Sequence, residues 1–368
     1  MEIFVELERK EFIKALTLGS SFSGKNRVLP ALDYVRLDYD PSYFMEISSN
    51  DGEMSVKTAF RNVKCDVNFD IFLDPKLLLS SLKSLKDDTV KLSIKEKTCD
   101  VIHANGNYSI PLGVVDEYPQ IKIDEENTCI VVKSERLFDW INIAKNFVGS
   151  DELRAVMNGI YIYVNNGMCG VCASDGHKLY NDYEHYSEDT TKCDGILTPN
   201  AINTVLSMLN GTESATILFG ERNMSFTAGD TSITCRKIEG RYPNFNAVIP
   251  QTHSIDVYVD KSTISDSLNR VLCMANSSCL VKMRIDGLNV TLTAEDIDFS
   301  KKANDYFLAT DSNKNITIGL KGIFFKLCLD AILSDNVKIE MTDHSRAIVM
   351  IDSKEPNKRI LLMPMQII

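Results

Sequence analysis

Cys169 and Cys172 form a Cys-x-x-Cys, and His177 follows closely. Thiolates and imidazole at such spacing could hold zinc or cycle between dithiol and disulfide. A closed zinc site needs four ligands, and no second pair stands at metal spacing. On an alternating strand, positions i and i+3 also point to opposite faces. Ser174, Asp175 and His177 bring nucleophile, carboxylate and base types together. No Gly-x-Ser-x-Gly elbow frames this serine, and neighbours in one tight turn rarely reach each other productively. No glycine-rich loop followed by Lys-Ser or Lys-Thr cradles a phosphate. The residues thus hold no catalytic constellation, and the expectation is a protein that is not an enzyme and has no metal or cofactor.

The surrounding elements are more informative, because one pattern is written three times. Asp74-Pro75 opens a helical run with Leu78, Leu82 and Leu85 on one face, followed by alternating Val90, Leu92 and Ile94. Thr198-Pro199 opens a second run with Ile202, Leu206 and Leu209 at a constant shift of 124 residues, and Ala215, Ile217 and Phe219 then alternate. Phe324, Cys328 and Ala331 repeat the helix at a further 122, followed by Val337, Ile339 and Met341. Asp or Thr as cap with Pro at the first helical position is a strong start signal. The third copy lacks it, since Leu320 caps poorly. An earlier helix also recurs: Leu137, Ile141 and Ala144 reappear at a shift of 127 as Ile264, Leu268 and Val271. The first third has its counterpart over 8–18, with Phe12, Ile13 and Leu16 inward. Strand-like alternations fill the rest, with a hairpin predicted across Asn165-Asn166-Gly167.

Each unit therefore reads as α+β: two helices against antiparallel sheets. The expected domains are 1–122, 128–251 and 254–368, with polar linkers at Asp124–Thr128 and Pro250–Ser254. The chain of 368 residues has 44% apolar residues, enough for real cores, and no run long enough to span a membrane. Its N-terminus does not resemble a secretory signal. Ten cysteines lack framework spacing, and Cys129, Cys235 and Cys328 in apolar runs read as reduced, buried thiols. These features point to the cytoplasm. A net charge of −11 excludes a generally basic nucleic-acid binder but not a local basic surface. Six helix windows carry twelve Lys and Arg against six Asp and Glu, so the helices are the basic part of an acidic chain.

Several stretches resemble the bacterial DNA polymerase III β subunit family, the sliding clamps. They are Arg27-Val28-Leu29-Pro30-Ala31-Leu32, Arg154 with Met157-Asn158-Gly159, Ala173 to Leu179, Gly240-Arg241-Tyr242-Pro243 to Pro250, and the Met363-Pro364-Met365 ending. The resemblance implies a head-to-tail homodimer whose six domains form a ring around duplex DNA, lined by helices. It implies processivity for a replicative polymerase, without sequence preference and without chemistry in the clamp. The rival reading is a scaffold of the same fold that binds peptides but no longer encircles DNA.

The resemblance also implies sites. A pocket for short linear peptides of polymerase, clamp loader and repair proteins would use Met157, Ser174, Gly176, His177, Lys178, Leu179, Pro243, Val248, Leu361, Met363, Pro364 and Met365. Ala247, Ala347, Gln366 and Ile368 depart from the family pattern around it. DNA contacts would include Lys25, Arg27, Lys76, Lys83 and Arg154. Tyr108 and Ile110 at one end, with Cys273 and Met274 at the other, would close the dimer.

Overall fold

The computed structural model describes residues 2–24, 29–115, 117–119, 121, 123, 128–186, 192–312 and 314–367. Lys25, Arg27, Val28, the linker residues 124–127 and Ile368 lie outside them.

The first third runs β1 (Ile3–Glu8), α1 (Arg9–Gly19), β2 (Val35–Tyr39), β3 (Met45–Asn50), β4 (Met54–Phe60), β5 (Val63–Lys64), β6 (Phe69–Leu73), α2 (Pro75–Ser84), β7 (Thr89–Ile94), β8 (Thr98–His103) and β9 (Gly106–Pro111). The second runs β10 (Thr128–Lys133), α3 (Ser134–Ala144), β11 (Ile160–Asn165), β12 (Met168–Ser174), β13 (Lys178–His185), β14 (Cys193–Leu197), α4 (Pro199–Leu209), β15 (Ser214–Phe219), β16 (Asn223–Ala228) and β17 (Thr231–Arg236). The third runs β18 (Ile255–Asp260), α5 (Lys261–Leu272), β19 (Leu280–Asp286), β20 (Asn289–Asp296), β21 (Lys301–Leu308), β22 (Asp311–Ser312), β23 (Asn315–Lys321), α6 (Gly322–Asp330), β24 (Asn336–Met341), β25 (Ile348–Asp352) and β26 (Arg359–Leu362). The triplication is thus real: a strand, a helix, a four-stranded meander, a second helix and three closing strands recur, with two-residue strands added in the first and third copies.

Two compact units emerge, residues 1–139 with 200–237 and residues 140–199 with 238–368. Unit 1 holds the sheets β5-β1-β7-β8-β9 and β10-β15-β16-β17-β4-β3-β2-β6. Unit 2 holds β14-β11-β12-β13-β26-β25-β24-β18-β22 and β21-β20-β19-β23. Each long sheet joins two thirds of the chain. In unit 1, β17 pairs antiparallel with β4 from Thr231↔Thr58 to Cys235↔Met54. The Thr58 and Thr231 hydroxyl oxygens lie 2.6 Å apart, and Arg61 pairs with Asp230 at 2.8 Å. In unit 2, β13 pairs with β26 from Lys178↔Leu362 to Asn181↔Arg359.

The cores follow the sequence periodicity. Phe12 and Leu16 of α1 are fully buried with Leu78 and Leu82 of α2 in the unit 1 core, each such side chain contributing about 1.5–3 kcal/mol. Asp74 caps α2, its carboxylate accepting from the N–H groups of Lys76 and Leu77. Ile264, Leu268 and Val271 are fully buried on α5. Asn166 and Gly167 both have positive φ (52° and 73°), the condition for a tight two-residue hairpin between β11 and β12.

Three expectations shift. Leu85 stays buried but lies just past the end of α2. On α6 the buried stripe is Phe325, Cys328 and Leu329; Phe324 is one position off it, with its ring beneath Lys178 and Lys321. Cys235 and Cys328 are buried, but Cys129 is exposed, because β10 turns Ile130 and Val132 inward instead. No helix among the described residues is long and apolar enough to cross a membrane.

Candidate functional site

The tight turn Ser174–Lys178 between β12 and β13 organises the expected pocket. Asp175 Oδ1 accepts from the N–H groups of His177 and Lys178, and its Oδ2 accepts from Lys178 Nζ at 2.7 Å. The Ser174 hydroxyl donates to the Lys178 carbonyl and accepts from the Gly176 N–H. Gly176 has φ +89°, a conformation that favours glycine. Burial raises the Asp175 carboxyl, but these hydrogen bonds and the Lys178 charge outweigh it and hold its pKa below the ordinary value. The Ser174–Asp175–His177 group is therefore spent on shaping a turn.

The turn presents backbone to the C-terminal segment. Met363 donates its N–H to the His177 carbonyl at 2.8 Å, and Met365 donates to the Gly319 carbonyl at 2.7 Å. Leu179 pairs with Leu361 across β13 and β26. Both are buried in one cluster with Cys172, Tyr242, Ala347 and Val349, against which Val156, Phe245 and Ile249 pack. Above this floor Met363 and Val248 are exposed at 44% and 57%, and Pro243 is exposed beside Tyr242. Pro364 and Met365 line a cavity of about 470 Å³ with His344 and Ser345. Adaptable Met side chains over an apolar floor suit binding of varied apolar anchors.

Lys178 and Arg154 are placed differently from expectation. Lys178 is buried, and Nζ lies over the rings of Phe147 (5.6 Å) and Phe324 (5.1 Å). Strand alternation puts it on the face opposite Leu179. Arg154, expected at DNA, sits in a short 3-10 helix, Glu152–Met157, that also supplies Met157. It pairs with Asp151 at 2.9 Å, and its guanidinium covers Gly176. Its surroundings are thus those of the pocket residues.

Lys76 and Lys83 are exposed on α2, off its buried Leu78–Leu82 face. Cys169 and Cys172 are buried on opposite faces of β12, and burial pushes the Cys169 thiol up to about 12, far from the thiolate that metal or redox chemistry uses. Among the described residues one other group could hold a cation: His253, Asp256 and Glu340. The Lys338 ammonium already lies 3.2 Å from Asp256 and 2.7 Å from Glu340, supplying the positive charge.

Of the three third meander strands (β4, β13, β21) and the three closing strands (β9, β17, β26), two lie at sheet edges: β9 pairs only with β8, and β21 only with β20, among the described residues. Tyr108 on β9 is 41% exposed, whereas Ile110 is buried in the unit 1 core, so its side chain is not offered at the edge. Tyr306 and Leu308 on β21 are exposed at 73% and 67%. Arg270 of α5 braces β21 by pairing with Asp305, and Cys273 and Met274 follow, exposed, at the end of that helix. The sequence reading missed β21. Its signal was the triplication itself, since β21 occupies the place of β4 and β13.

The repeated α+β unit, its two sheets shared between neighbours, defines the class of three-domain DNA clamps. Models of the DNA polymerase III beta subunit match in order: the N-terminal domain over residues 2–122, the central domain over 131–244 and the C-terminal domain over 246–366. The chain belongs to the DNA polymerase III beta subunit family, the sliding clamps. The beta sliding clamps of Rickettsia felis and Caulobacter vibrioides are 20% and 21% identical, each covering 98% of this chain and 99% of the relative. A DnaN sliding clamp from Pseudomonas aeruginosa, solved bound to griselimycin, has a TM-score of 0.94 at 17% identity. The beta subunit from Thermotoga maritima has 0.91 at 19%. Both superpositions cover the whole of each chain.

Proposed function

We propose that two copies of this chain join head to tail, encircle duplex DNA without sequence preference, and tether a replicative DNA polymerase. The observation that carries this reading is the repeated strand junction. The third meander strand of one domain pairs with the last strand of the next, as β4 with β17 and β13 with β26. One strand of each kind is left over, β21 and β9. Pairing β21 of one copy with β9 of another repeats the same junction and covers two edges that would otherwise invite aggregation.

The domain limits 1–122, 128–251 and 254–368 fit this grammar. The exposed Lys76 and Lys83 would meet phosphates, a contact that positions without reading sequence. Polymerase, clamp loader and repair proteins would dock short peptides over Leu179, Leu361 and Met363. The clamp would itself do no chemistry, and would work in the cytoplasm.

Light scattering across a concentration range tests the junction. The expected mass is twice 41.3 kDa, falling to one chain when Tyr306 and Leu308 are both changed to Ala. A monomer at micromolar concentration in the unaltered protein would contradict it.

A further inference from the structure

Unit 2 holds a second concavity, beside the docking residues, that the reading above does not use. It is a cavity of about 990 Å³ bordered by Pro243. Its wall is aromatic. Tyr161 stacks on Tyr242 with centroids 4.7 Å apart and planes within 6°, and Tyr163 packs between Tyr161 (5.5 Å) and Phe245 (5.5 Å). The wall is built deliberately into the sheet. Tyr163 faces Gly170 across β11 and β12, where a Cβ would lie 2.8 Å from the tyrosine oxygen. The bare glycine lets the ring lie over β12 and donate to Asn181 Oδ1 at 3.0 Å.

The rim is charged. Tyr161 donates to Asp194 Oδ2 at 2.9 Å, which holds that carboxylate beside the ring. Arg241 and Lys192 also line the cavity and are exposed, and no carboxylate among the described residues pairs with either. Aromatic faces beside two cations, with the single carboxylate of Asp194 among the described residues lining the cavity, fit a planar apolar group with a carboxylate next to it.

We infer that this cavity is an extension subsite for the docked partner, taking an aromatic side chain flanked by Asp or Glu from the segment next to the docking peptide. This rests on the docking reading above. Continuity argues for it: Tyr242 is buried in the same cluster as Leu179 and Leu361, and Tyr161, Tyr163 and Phe245 pack against that cluster. A polyanion such as a nucleic-acid strand is disfavoured by the net charge of −11, whereas one or two carboxylates are not.

Three synthetic probes separate the claims: an anchor peptide Ser-Leu-Ser-Leu-Phe, an acetylated Trp-Asp-Glu, and the two joined by Gly-Ser-Gly in either order. The joined peptide is expected to bind the full-length protein about tenfold more tightly than the anchor, equivalent to about 1.4 kcal/mol. That gain should vanish in the double variant Lys192→Ala, Arg241→Ala. It should persist in Met363→Ala, where anchor and joined peptide weaken together. Acetylated Trp-Asp-Glu alone, at millimolar concentration, should shift the ring signals of Tyr161 and Tyr163 in NMR. If the anchor fails to bind while Trp-Asp-Glu still shifts those rings and loses the effect in the double variant, the docking reading falls and the subsite stands. Equal binding of anchor and joined peptide with no ring shifts, or a gain that survives the double variant, overturns the subsite.

Discussion

The backbone N–H of Met363 donates to the carbonyl of His177 at 2.8 Å. This bond extends the β13–β26 pairing past Leu362 and ties the chain end to the turn at Gly176. With the Met365 N–H bond to the Gly319 carbonyl, it helps hold Met363, Pro364 and Met365 in place. Met363→Pro removes the donor and should cost about 1–2 kcal/mol in urea unfolding, together with docking-peptide affinity. Met363→Ala keeps the donor. It should leave the urea midpoint nearly unchanged, because the Met363 side chain is exposed, and on the proposed docking reading it should still weaken the peptide several-fold.

Asp175 makes the turn pH-sensitive. Its carboxyl pKa is lowered in the fold by its hydrogen bonds and the Lys178 ammonium, against the opposing effect of burial. A depressed carboxyl pKa stabilises above the unfolded value, about 3.9, and that stability is lost as pH falls through the folded value. Asp175→Asn leaves the buried Lys178 ammonium without its partner and should cost about 3–5 kcal/mol at pH 7. The gap between the variant and the unaltered protein in urea midpoint should shrink once the pH drops below about 4.

The thiols should react in order of exposure. Cys129 and Cys273 are exposed, while Cys169, Cys172 and Cys235 are buried, with burial pushing Cys169 and Cys235 up to about 12. Iodoacetamide at pH 8 followed by peptide mass mapping should label Cys129 in the native protein, Cys273 only as far as the proposed dimer leaves it uncovered, and the buried three only on unfolding.

The exposed lysines of α2 carry a separate expectation. Lys76→Glu with Lys83→Glu should weaken duplex binding uniformly across sequences and flatten the slope of log affinity against log salt by about 2. Helix stability should hardly change, since both side chains lie off the buried face.

The helices and most strands were legible because their apolar spacing recurs three times, as with Leu82, Leu206 and Cys328, all buried. The offset of Phe324 by one residue was not, because α6 lacks a capping side chain to fix its start. Leu179 and Leu361 were singled out by motif resemblance, and they pair across β13 and β26. The burial of Lys178 was not legible, because only strand alternation and the rings of Phe147 and Phe324 decide where its ammonium goes. Arg154 was placed at DNA by the resemblance, yet a pairing with Asp151 and its position over Gly176 set its surroundings. The β21 edge was missed because an exposed strand has no buried stripe to announce it: Tyr306 and Leu308 face outward in the single chain.

The most direct test of encirclement is retention on DNA of different topology. The protein is loaded onto nicked circular duplex with a bacterial clamp loader, separated from free protein in high salt, and the circle is then cut once. The account predicts that the protein stays with the circle and is released on linearisation, because the link is topological and the charge contacts are screened. Equal retention on circular and linear DNA, or no retention on either, would contradict it.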